Sequence, residues 1–411
     1  MCGSYVPRNG YEVLKERFLM HPSSRVKLMS TFGLLLSIVV SLAFFGFMRG
    51  TSQASGTFKS STRSESTAVA TTSKCGSWQN VPVRYPPLWS GNYGFVGVAA
   101  IAPNNVWAVG DYIEHWDGSK WSKVNPRIGL NGIAVVSANN NWAVGGTNGS
   151  SVDGVSHTGG NAVIEHWNGS KWSPVPGANL GSISSYLNAI TAISANNIWA
   201  VGKDDNGTLI EHWNGFNWSA VPSPSRNSQY DELTSISAVS ANDIWTVGSP
   251  PVGYSPVISS QPTLIEHWNG VQWSIVSSPN PLAFNSLIGV TAISTNNVWA
   301  VGEAYENNGG ESIIEHWNGV QWSLTSSTVG DALYATTAVS ANNVWAVGFG
   351  SNGALTEHWT GSSWNVVKSP NLPGSWLLAV AQVPGTNTLW AVGSDWPPMS
   401  DYSNMITEFY C

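Results

Sequence analysis

The sequence is poor in charged residues and in cysteine. Only 10% of its 411 residues are Asp, Glu, Lys or Arg, and three are Cys. Residues 75–411 contain 8 Lys and Arg residues against 21 Asp and Glu residues, so this region is strongly acidic. Because binding to the phosphates of nucleic acid needs a basic surface, the composition excludes nucleic acid as a partner. The 42% of apolar residues is still enough to build a large core.

Sequence motifs of the common catalytic and metal centres are also missing. There is no HExxH, no GxSxG and no glycine-rich phosphate loop. Residues 204–207 resemble the start of a calcium loop, but the later bidentate Glu is lacking and a polar hairpin fits them better. The sequence therefore predicts no catalytic residue, no metal site and no cofactor.

One long apolar run precedes the acidic region. Residues 28–48 are 21 uncharged residues between Lys27 and Arg49. As a helix they would span about 31 Å, the thickness of the hydrocarbon core of a bilayer. The apolar part of a cleavable signal is shorter, about 7–15 residues, so the run predicts a transmembrane signal-anchor helix. Residues 52–54 also fit a cleavage site, and cleavage near Ala54 would give a secreted protein instead.

The residues around this run predict its orientation and a spacer. Basic residues precede it at Arg8, Lys15, Arg17, Arg25 and Lys27. Positive residues favour the cytoplasmic side, so residues 1–27 are predicted to be cytoplasmic and residues 75–411 extracellular. Residues 49–74 contain 13 Ser and Thr in 26 positions, the composition of a disordered linker. The prediction is a single-pass protein of the cell membrane.

Residues 75–411 consist of seven copies of one unit, and this repeat contains most of the 23 tryptophans. One tryptophan per copy lies in a SANNxWAVG-like segment, at Trp107, Trp142, Trp199, Trp245, Trp299, Trp345 and Trp390. Each copy has four short β-branched and aromatic stretches, separated mainly by Asn-Asn and Asn-Gly turn sequences. Units of 40–50 residues with four strands are typical of β-propeller blades. The predicted fold is an all-β, seven-bladed propeller with four-stranded antiparallel blades.

The two ends of the repeat region predict how the ring closes. The seventh copy has three strands before Cys411, and residues 76–82 match the fourth strand of the second copy. The N-terminal strand is therefore predicted to complete the last blade. This pairing places Cys75 and Cys411 at adjacent positions of one hairpin, within the Cα separation of a disulfide, and an extracellular location permits the bond. Cys2 is left over on the cytoplasmic side.

The repeat resembles the kelch repeat and bacterial surface propellers built from similar units. NNVWAVG is similar to the kelch strand that ends in a glycine pair, and LIEHWNGVQWSIV to the following strand–turn–strand. Most copies keep one glycine of the pair, and the turn before the last tryptophan is shorter. IEHWDGSKW is also similar to a hairpin of fungal fucose-binding lectins. Those lectins use an Arg that does not recur here, so this likeness implies hairpin chemistry only.

Six histidines recur at one position of the repeat, each after a Glu: His115, His166, His212, His267, His316 and His358. A pair of Glu and His can serve acid–base catalysis or metal binding. An enzyme needs one site, however, and these pairs recur once per blade around a ring. We therefore interpret them as structural, with both side chains bonded to backbone at a blade edge, and the repeated tryptophans as packing between blades.

The candidate ligand-binding residues lie outside the repeat. Four antiparallel strands place two kinds of loop on each face of a blade, and one face carries the loops that differ among copies, such as residues 146–161, 249–262, 303–312 and 394–404. The non-repeated tryptophans Trp89, Trp376 and Trp396 are expected in these loops, where binding sites are common. The full candidate set at the junction of blades 7 and 1 is Trp89, Tyr93, Trp376, Asp395, Trp396, Asp401 and Tyr402. The alternative is that the tryptophans cap the core at the closure.

Two function classes fit these observations. The first is a binding module, monomeric and extracellular, with a protein or carbohydrate ligand on the variable loops. The second is a propeller enzyme, a glycan lyase or hydrolase that uses non-repeated groups such as Asp153, His157 or Asp401; a secreted lectin-like propeller is a further alternative. The sequence shows no unique acid–base pair, and this favours binding over catalysis.

The closure predicts a disulfide between Cys75 and Cys411. The bond would stabilise the ring because it joins the two ends of a long chain segment in the unfolded state. We expect peptide mapping without reductant to recover the peptides of Cys75 and Cys411 as one linked species. Recovery of both residues as alkylated thiols from extracellular protein would contradict this prediction.

Overall fold

The computed structural model describes residues 75–83, 94–125, 129–147, 161–180, 184–224, 231–249, 260–306, 309–327, 332–370, 374–395 and 404–411. They form 28 β-strands in seven four-stranded antiparallel sheets, so the predicted all-β, seven-bladed propeller is confirmed. No helix among these residues is long and apolar enough to cross a bilayer. The predicted span 28–48 and its flanks, 1–27 and 49–74, lie outside the described residues.

The four strands of each blade are called A to D in the order in which they pair. In blades 1 to 3 they are β2 Phe95–Ala102, β3 Asn105–Gly110, β4 Ile113–Trp116, β5 Trp121–Asn125, β6 Leu130–Ser137, β7 Asn140–Gly146, β8 Ala162–Trp167, β9 Trp172–Pro174, β10 Ser185–Ser194, β11 Asn197–Asp204, β12 Gly207–Trp213 and β13 Trp218–Ala220. In blades 4 to 6 they are β14 Glu232–Ser240, β15 Asp243–Ser249, β16 Leu264–Trp268, β17 Trp273–Ile275, β18 Phe284–Ser294, β19 Asn297–Glu306, β20 Gly309–Trp317, β21 Trp322–Thr325, β22 Ala332–Ser340, β23 Asn343–Gly350, β24 Gly353–Trp359 and β25 Trp364–Val366. Blade 7 contains β26 Ser375–Gln382, β27 Leu389–Asp395, β28 Asn404–Tyr410 and β1 Trp78–Asn80.

The A strands lie innermost, and those of neighbouring blades contact each other, blade 7 with blade 1 included. A small residue stands where they meet, as the repeat predicts. A Cβ atom added at Gly132 would come within 3.0 Å of the Cα atom of Ala189 in the next blade. Only small side chains fit between two backbones that approach this closely.

The glycine of the WAVG segment is required by a second close approach, which lies within each blade. In blade 3 it is Gly202, whose position faces the backbone of β10 at a shift of register between Leu187 and Ala189. A Cβ atom on Gly202 would collide with the carbonyl oxygen of Tyr186. Because the same collision recurs at the equivalent glycine of every blade, the bulge in strand A and the glycine in strand B require each other.

The blades are joined by a ring of tryptophans. Each B-strand tryptophan packs against the C-strand and D-strand aromatic residues of the next blade, with ring centroids 4.5–5.7 Å apart. Trp199, for example, contacts Trp268 and Trp273. The contacts continue without a break from Trp390 of blade 7 to blade 1. The predicted packing role of the repeated tryptophans is confirmed.

The closing strand also lies where the sequence predicts it. Strand β1 pairs with β28 in blade 7, with Trp78 opposite Tyr410. The N–H of Gly76 donates to the carbonyl of Cys411 at 2.7 Å, and the Sγ atoms of Cys75 and Cys411 are 2.6 Å apart. The two chain ends thus bring the sulfurs together, and the disulfide itself stays a prediction.

Candidate functional site

The two faces of the ring differ in their loops. One face, here called the turn face, carries the turns between strands A and B and between strands C and D. In blade 3 these turns touch, because a Cβ atom on Gly215 would lie 2.9 Å from the side chain of Asn196. Gly215 also has a φ of 95°, which favours glycine. The opposite face, here called the loop face, carries the B-to-C loops and the connections between blades.

The repeated histidines have structural partners. In each of six blades the His Nε2 lies 2.9–3.0 Å from the side-chain oxygen of the first residue of strand B, an Asn or, in blade 4, Asp243. A side-chain oxygen of this kind accepts, so Nε2 carries the proton. In blade 3 the oxygen of Asn197 also accepts from the indole of Trp199, and His212 stacks on that indole. The His therefore holds the tryptophan in place.

The repeated glutamates link neighbouring blades. All seven Glu residues of this position, Glu408 of blade 7 included, are at least 95% buried. In three junctions a Ser hydroxyl of the preceding blade donates to the carboxylate at 2.6–3.0 Å, from Ser223 to Glu266, from Ser327 to Glu357 and from Ser369 to Glu408. The backbone N–H of Ala178 does the same for Glu211 at 2.9 Å. The structural interpretation is thus supported, but the expected backbone partner is present only for Glu211 among these four.

Burial controls the protonation of these side chains. Burial raises the pKa of Glu114 to about 7 although the charge of Lys123 opposes the shift. It also raises the pKa of Glu315 to about 8, against the opposing effect of the Ser278 hydroxyl. Burial lowers the pKa of five of the repeated histidines, namely His115, His166, His212, His316 and His358. These five histidines are therefore neutral near neutral pH, and Glu315 keeps its proton up to about pH 8.

The structure places two of the predicted ligand-binding residues. Trp376 is the second residue of the innermost strand β26 and not part of a loop, so that expectation was wrong. Its indole is half-buried and meets the ring of Phe349 edge-on at 6.5 Å. Asp395 is the last residue of β27, opposite Ser375. Both lie at the loop face; Trp89, Tyr93, Trp396, Asp401 and Tyr402 lie outside the described residues.

A polar cluster that the sequence analysis missed lies at the same face, between blades 3 and 4. Asn188 donates to Oε1 of Glu232 at 2.7 Å and to the carbonyl of Leu233 at 2.9 Å. Burial raises the pKa of Glu232, while Asn188, the hydroxyl of Tyr186 and the charge of Lys203 lower it. Lys203 stands opposite Tyr186 in the sheet. This is a non-repeated carboxylate with polar and aromatic neighbours.

Residues of this cluster and Trp376 occupy the same position of the repeat in different blades. The residue just before the buried Leu or Phe of strand A lies at or near the start of each innermost strand, on the loop face; we call it the rim position. It is occupied in blade order by Gly94, Gly129, Tyr186, Glu232, Ser286, Ala332 and Trp376. The next residue is a buried Leu or Phe in every blade. The variation at the rim position is therefore visible when the seven copies of the repeat are aligned.

The charges of the described residues are concentrated on the loop face. Nine acidic residues lie there: Asp111, Asp204, Asp205, Asp231, Glu232, Glu303, Glu306, Glu311 and Asp395. The basic residues described at this face are Lys203 and Lys368, and Lys123 reaches towards it over the ring of Tyr112 at 3.5 Å. Asp111 and Asp231 are buried and burial raises the pKa of Glu232, while the other six are exposed or half-buried. The described part of the loop face is therefore acidic and carries half-buried aromatic side chains.

Solved structures with this fold are similar to the chain over most of its length. One is YCF48 bound to D1 peptide, with 14% identity, a TM-score of 0.52 and coverage of 81% of this chain and 97% of that chain. Another is the structure of U3-55K, with 10% identity, a TM-score of 0.55 and coverage of 82% and 98%. YCF48 from Cyanidioschyzon merolae matches with 14% identity, a TM-score of 0.54 and coverage of 81% and 98%. At such identities the likeness establishes the propeller fold alone.

No protein-family model and no curated protein sequence matches the chain. The likeness to kelch repeats therefore stays an interpretation of the repeat sequence.

The buried carboxyl groups predict that the propeller loses stability as the pH rises from about 7.5 to about 8.5. An unfolded Glu, with its ordinary pKa of 4.5, is deprotonated in this range, whereas folded Glu315 keeps its proton up to about pH 8. The folded state binds more protons, so this stabilisation is complete below pH 4.5 and is lost as the pH rises through 8. The five histidines with a lowered pKa oppose this effect at lower pH, because unfolded histidines, with their ordinary pKa of 6.5, still bind protons there. We expect the thermal midpoint of residues 75–411 to fall between about pH 7.5 and about pH 8.5, where the unfolded histidines are almost neutral.

The variant E315Q isolates this effect, since Gln cannot titrate. We expect E315Q to be more stable than the parent at about pH 8.5 and to show a flatter dependence on pH. The matched control E311Q removes an exposed carboxylate from the start of the same strand and should keep the slope of the parent. Equal slopes for E315Q and the parent would show that Glu315 does not hold its proton.

Proposed function

We propose that this protein is a membrane-anchored extracellular propeller that binds a protein partner through its loop face. The partner presents a basic segment. The observation that carries the proposal is the charge of the described part of that face, where six exposed or half-buried acidic residues stand against Lys203, Lys368 and the nearby Lys123. Opposite charge on the partner would speed its approach and favour it over acidic competitors.

The rim positions supply apolar contacts for such a segment. Tyr186 and Trp376 are half-buried aromatic residues at the loop face, each near carboxylate groups. Aromatic side chains in such a setting often contribute most to binding a peptide. The seven rigid blades hold the variable loops around them, which is the common arrangement of binding sites on a scaffold.

The similar structures support a partner of this class. One of them is a propeller of the same fold with a bound peptide, YCF48 with D1 peptide. Membrane anchoring through residues 28–48 and the extracellular location are proposed from the sequence of the N-terminal segment. A carbohydrate ligand and cleavage of glycans are the alternatives that the experiment must separate from peptide binding.

The test uses residues 75–411, which contain all 28 strands and the closing pair β1 and β28. An immobilised propeller is exposed to peptides rich in Lys and Arg, to acidic peptides of matched length and to a glycan array. We expect binding of basic peptides that weakens as salt is raised, because exposed charges are screened. The variant E303Q/E306Q/E311Q should weaken it at least about fivefold, and W376A should weaken it as well.

The control variant D117N removes an exposed carboxylate from the turn face and should leave binding unchanged. Binding of glycans without binding of peptides would replace the proposal with a lectin-like function. Breakdown of an added polysaccharide would replace it with an enzymatic one. Equal binding of acidic and basic peptides would contradict the charge argument.

A further inference from the structure

Three apolar side chains project from the turn face into solvent. Phe216, Val271 and Val320 are 89%, 81% and 82% exposed. They occupy the same position of the turn between strands C and D in blades 3, 4 and 5. Equivalent positions of successive blades are related by the rotation of the ring, so the three side chains stand at one height above the face. They form a row along one side of the propeller, which we call the apolar row.

The fold does not require apolar residues at these positions. In blade 3 the turn is fixed by Asn214, whose Oδ1 accepts from the N–H groups of Phe216 and Asn217 at 3.0 and 3.1 Å. The same bonds form around Asp117 in blade 1, where the residue equivalent to Phe216 is Ser119. Ser also occupies this position in blades 2 and 6. In blades 1 and 2 the Ser hydroxyl donates to the same Asp or Asn oxygen, whereas the three side chains of the apolar row are almost fully exposed. Their apolar character therefore has a cause outside the turn.

The surroundings of the apolar row are uncharged. The exposed charged residues in the turns of the described turn face are Asp117, Lys120 and Lys171, all in blades 1 and 2. The turns of blades 3 to 5 contain Asn, Gln, Gly, Ala and Thr besides the three apolar residues. The described part of the loop face, by contrast, carries six exposed or half-buried acidic residues besides Asp111, Asp231 and Glu232. A partner of the apolar row must therefore offer an apolar environment for the three side chains, and it needs no particular charge.

The chain itself leads from this face towards a membrane. Cys75, where the propeller begins, lies in the equivalent of a C-to-D turn in blade 7 and hence on the turn face. The 26 residues 49–74 and the uncharged run 28–48 precede it. The linker that the sequence predicts for residues 49–74 would span about 28 Å on average. The turn face would thus be held near the bilayer at a millimolar effective concentration.

We infer that the turn face rests on the lipid surface, with Phe216, Val271 and Val320 inserted among the headgroups. This inference rests on the proposed membrane anchor and adds an orientation to it. Insertion of the apolar row to the boundary of the acyl chains removes it from water, and the uncharged turns around it enter the headgroup layer without desolvating ions. The acidic loop face then points away from the membrane, towards the partner.

The lipid contact is tested on the propeller alone, residues 75–411, by flotation with vesicles of phosphatidylcholine. We expect a fraction to float that does not depend on salt, and at least about a tenfold loss for F216S/V271S/V320S. Ser is the residue that blades 1, 2 and 6 already carry there, so this variant should fold. The matched control V124S/V366S removes two less exposed apolar side chains from outer strands and should float like the parent.

The orientation is tested on the full chain by hydrogen exchange in phosphatidylcholine nanodiscs. The turns 214–217, 269–272 and 318–321 should exchange more slowly than the equivalent turns 117–120, 168–171 and 360–363, and the difference should vanish in F216S/V271S/V320S. Equal exchange in both sets, or flotation of that variant at the level of the parent, would overturn the inference. Self-association of the propeller through these residues without flotation would show that the apolar row binds a second copy of the chain, and it would overturn the lipid contact. Extraction of the full chain by alkali would refute the anchor and leave the flotation result standing.

Discussion

The contact of each B-strand tryptophan with two aromatic residues of the next blade is the interaction on which the structure depends. A four-stranded blade cannot bury both of its faces alone, and a neighbour must cover each one. Trp199 reaches across the junction to Trp268 and Trp273, and every blade repeats this contact, with Tyr410 and Trp78 as the partners in blade 7. Because the chain of contacts closes on itself, no blade is left with an uncovered face.

The histidines and glutamates serve the same junctions. The Asn oxygen that accepts from the Trp indole also accepts from His, so the orientation of the indole is fixed within its own blade. At three junctions a Ser-to-Glu bond also joins neighbouring blades, through the Glu that precedes the repeated position of His. Burial raises the pKa of Glu315 to about 8, and a neutral carboxyl costs less to bury than a charged one. Residues that look catalytic in the sequence are therefore explained by packing.

The repeat made much of this fold predictable, but it gave little information about the residues of the loop face. The tryptophan count, the strand order and the completion of blade 7 by residues 76–82 follow from comparing copies, because a repeated pattern exposes its structural constraints. Trp376 was expected in a loop but lies in β26, since flanking sequence alone did not mark where the innermost strand begins. The pairing of Asn188 with Glu232 joins residues 44 positions apart across two blades, and no local pattern reports such a contact.

The difference between the two faces follows from the same constraints. In blades 1 to 5 the turns between strands C and D are fixed by an Asn or Asp side chain and a glycine with positive φ. The residue that projects from the turn varies, and it is apolar in blades 3 to 5. Loops of the other face carry no such requirement and differ in length and charge among the blades.

The most direct measurement of the central claim is a double-mutant cycle on the unfolding of residues 75–411, with W199L and W268L. The account predicts a coupling free energy of about 0.5–1.5 kcal/mol between these residues of neighbouring blades. It predicts no coupling between W199L and W364L, which lie in blades that do not touch. Additive effects of W199L and W268L, equal to those of the distant pair, would contradict the claim that tryptophan contacts hold the ring together.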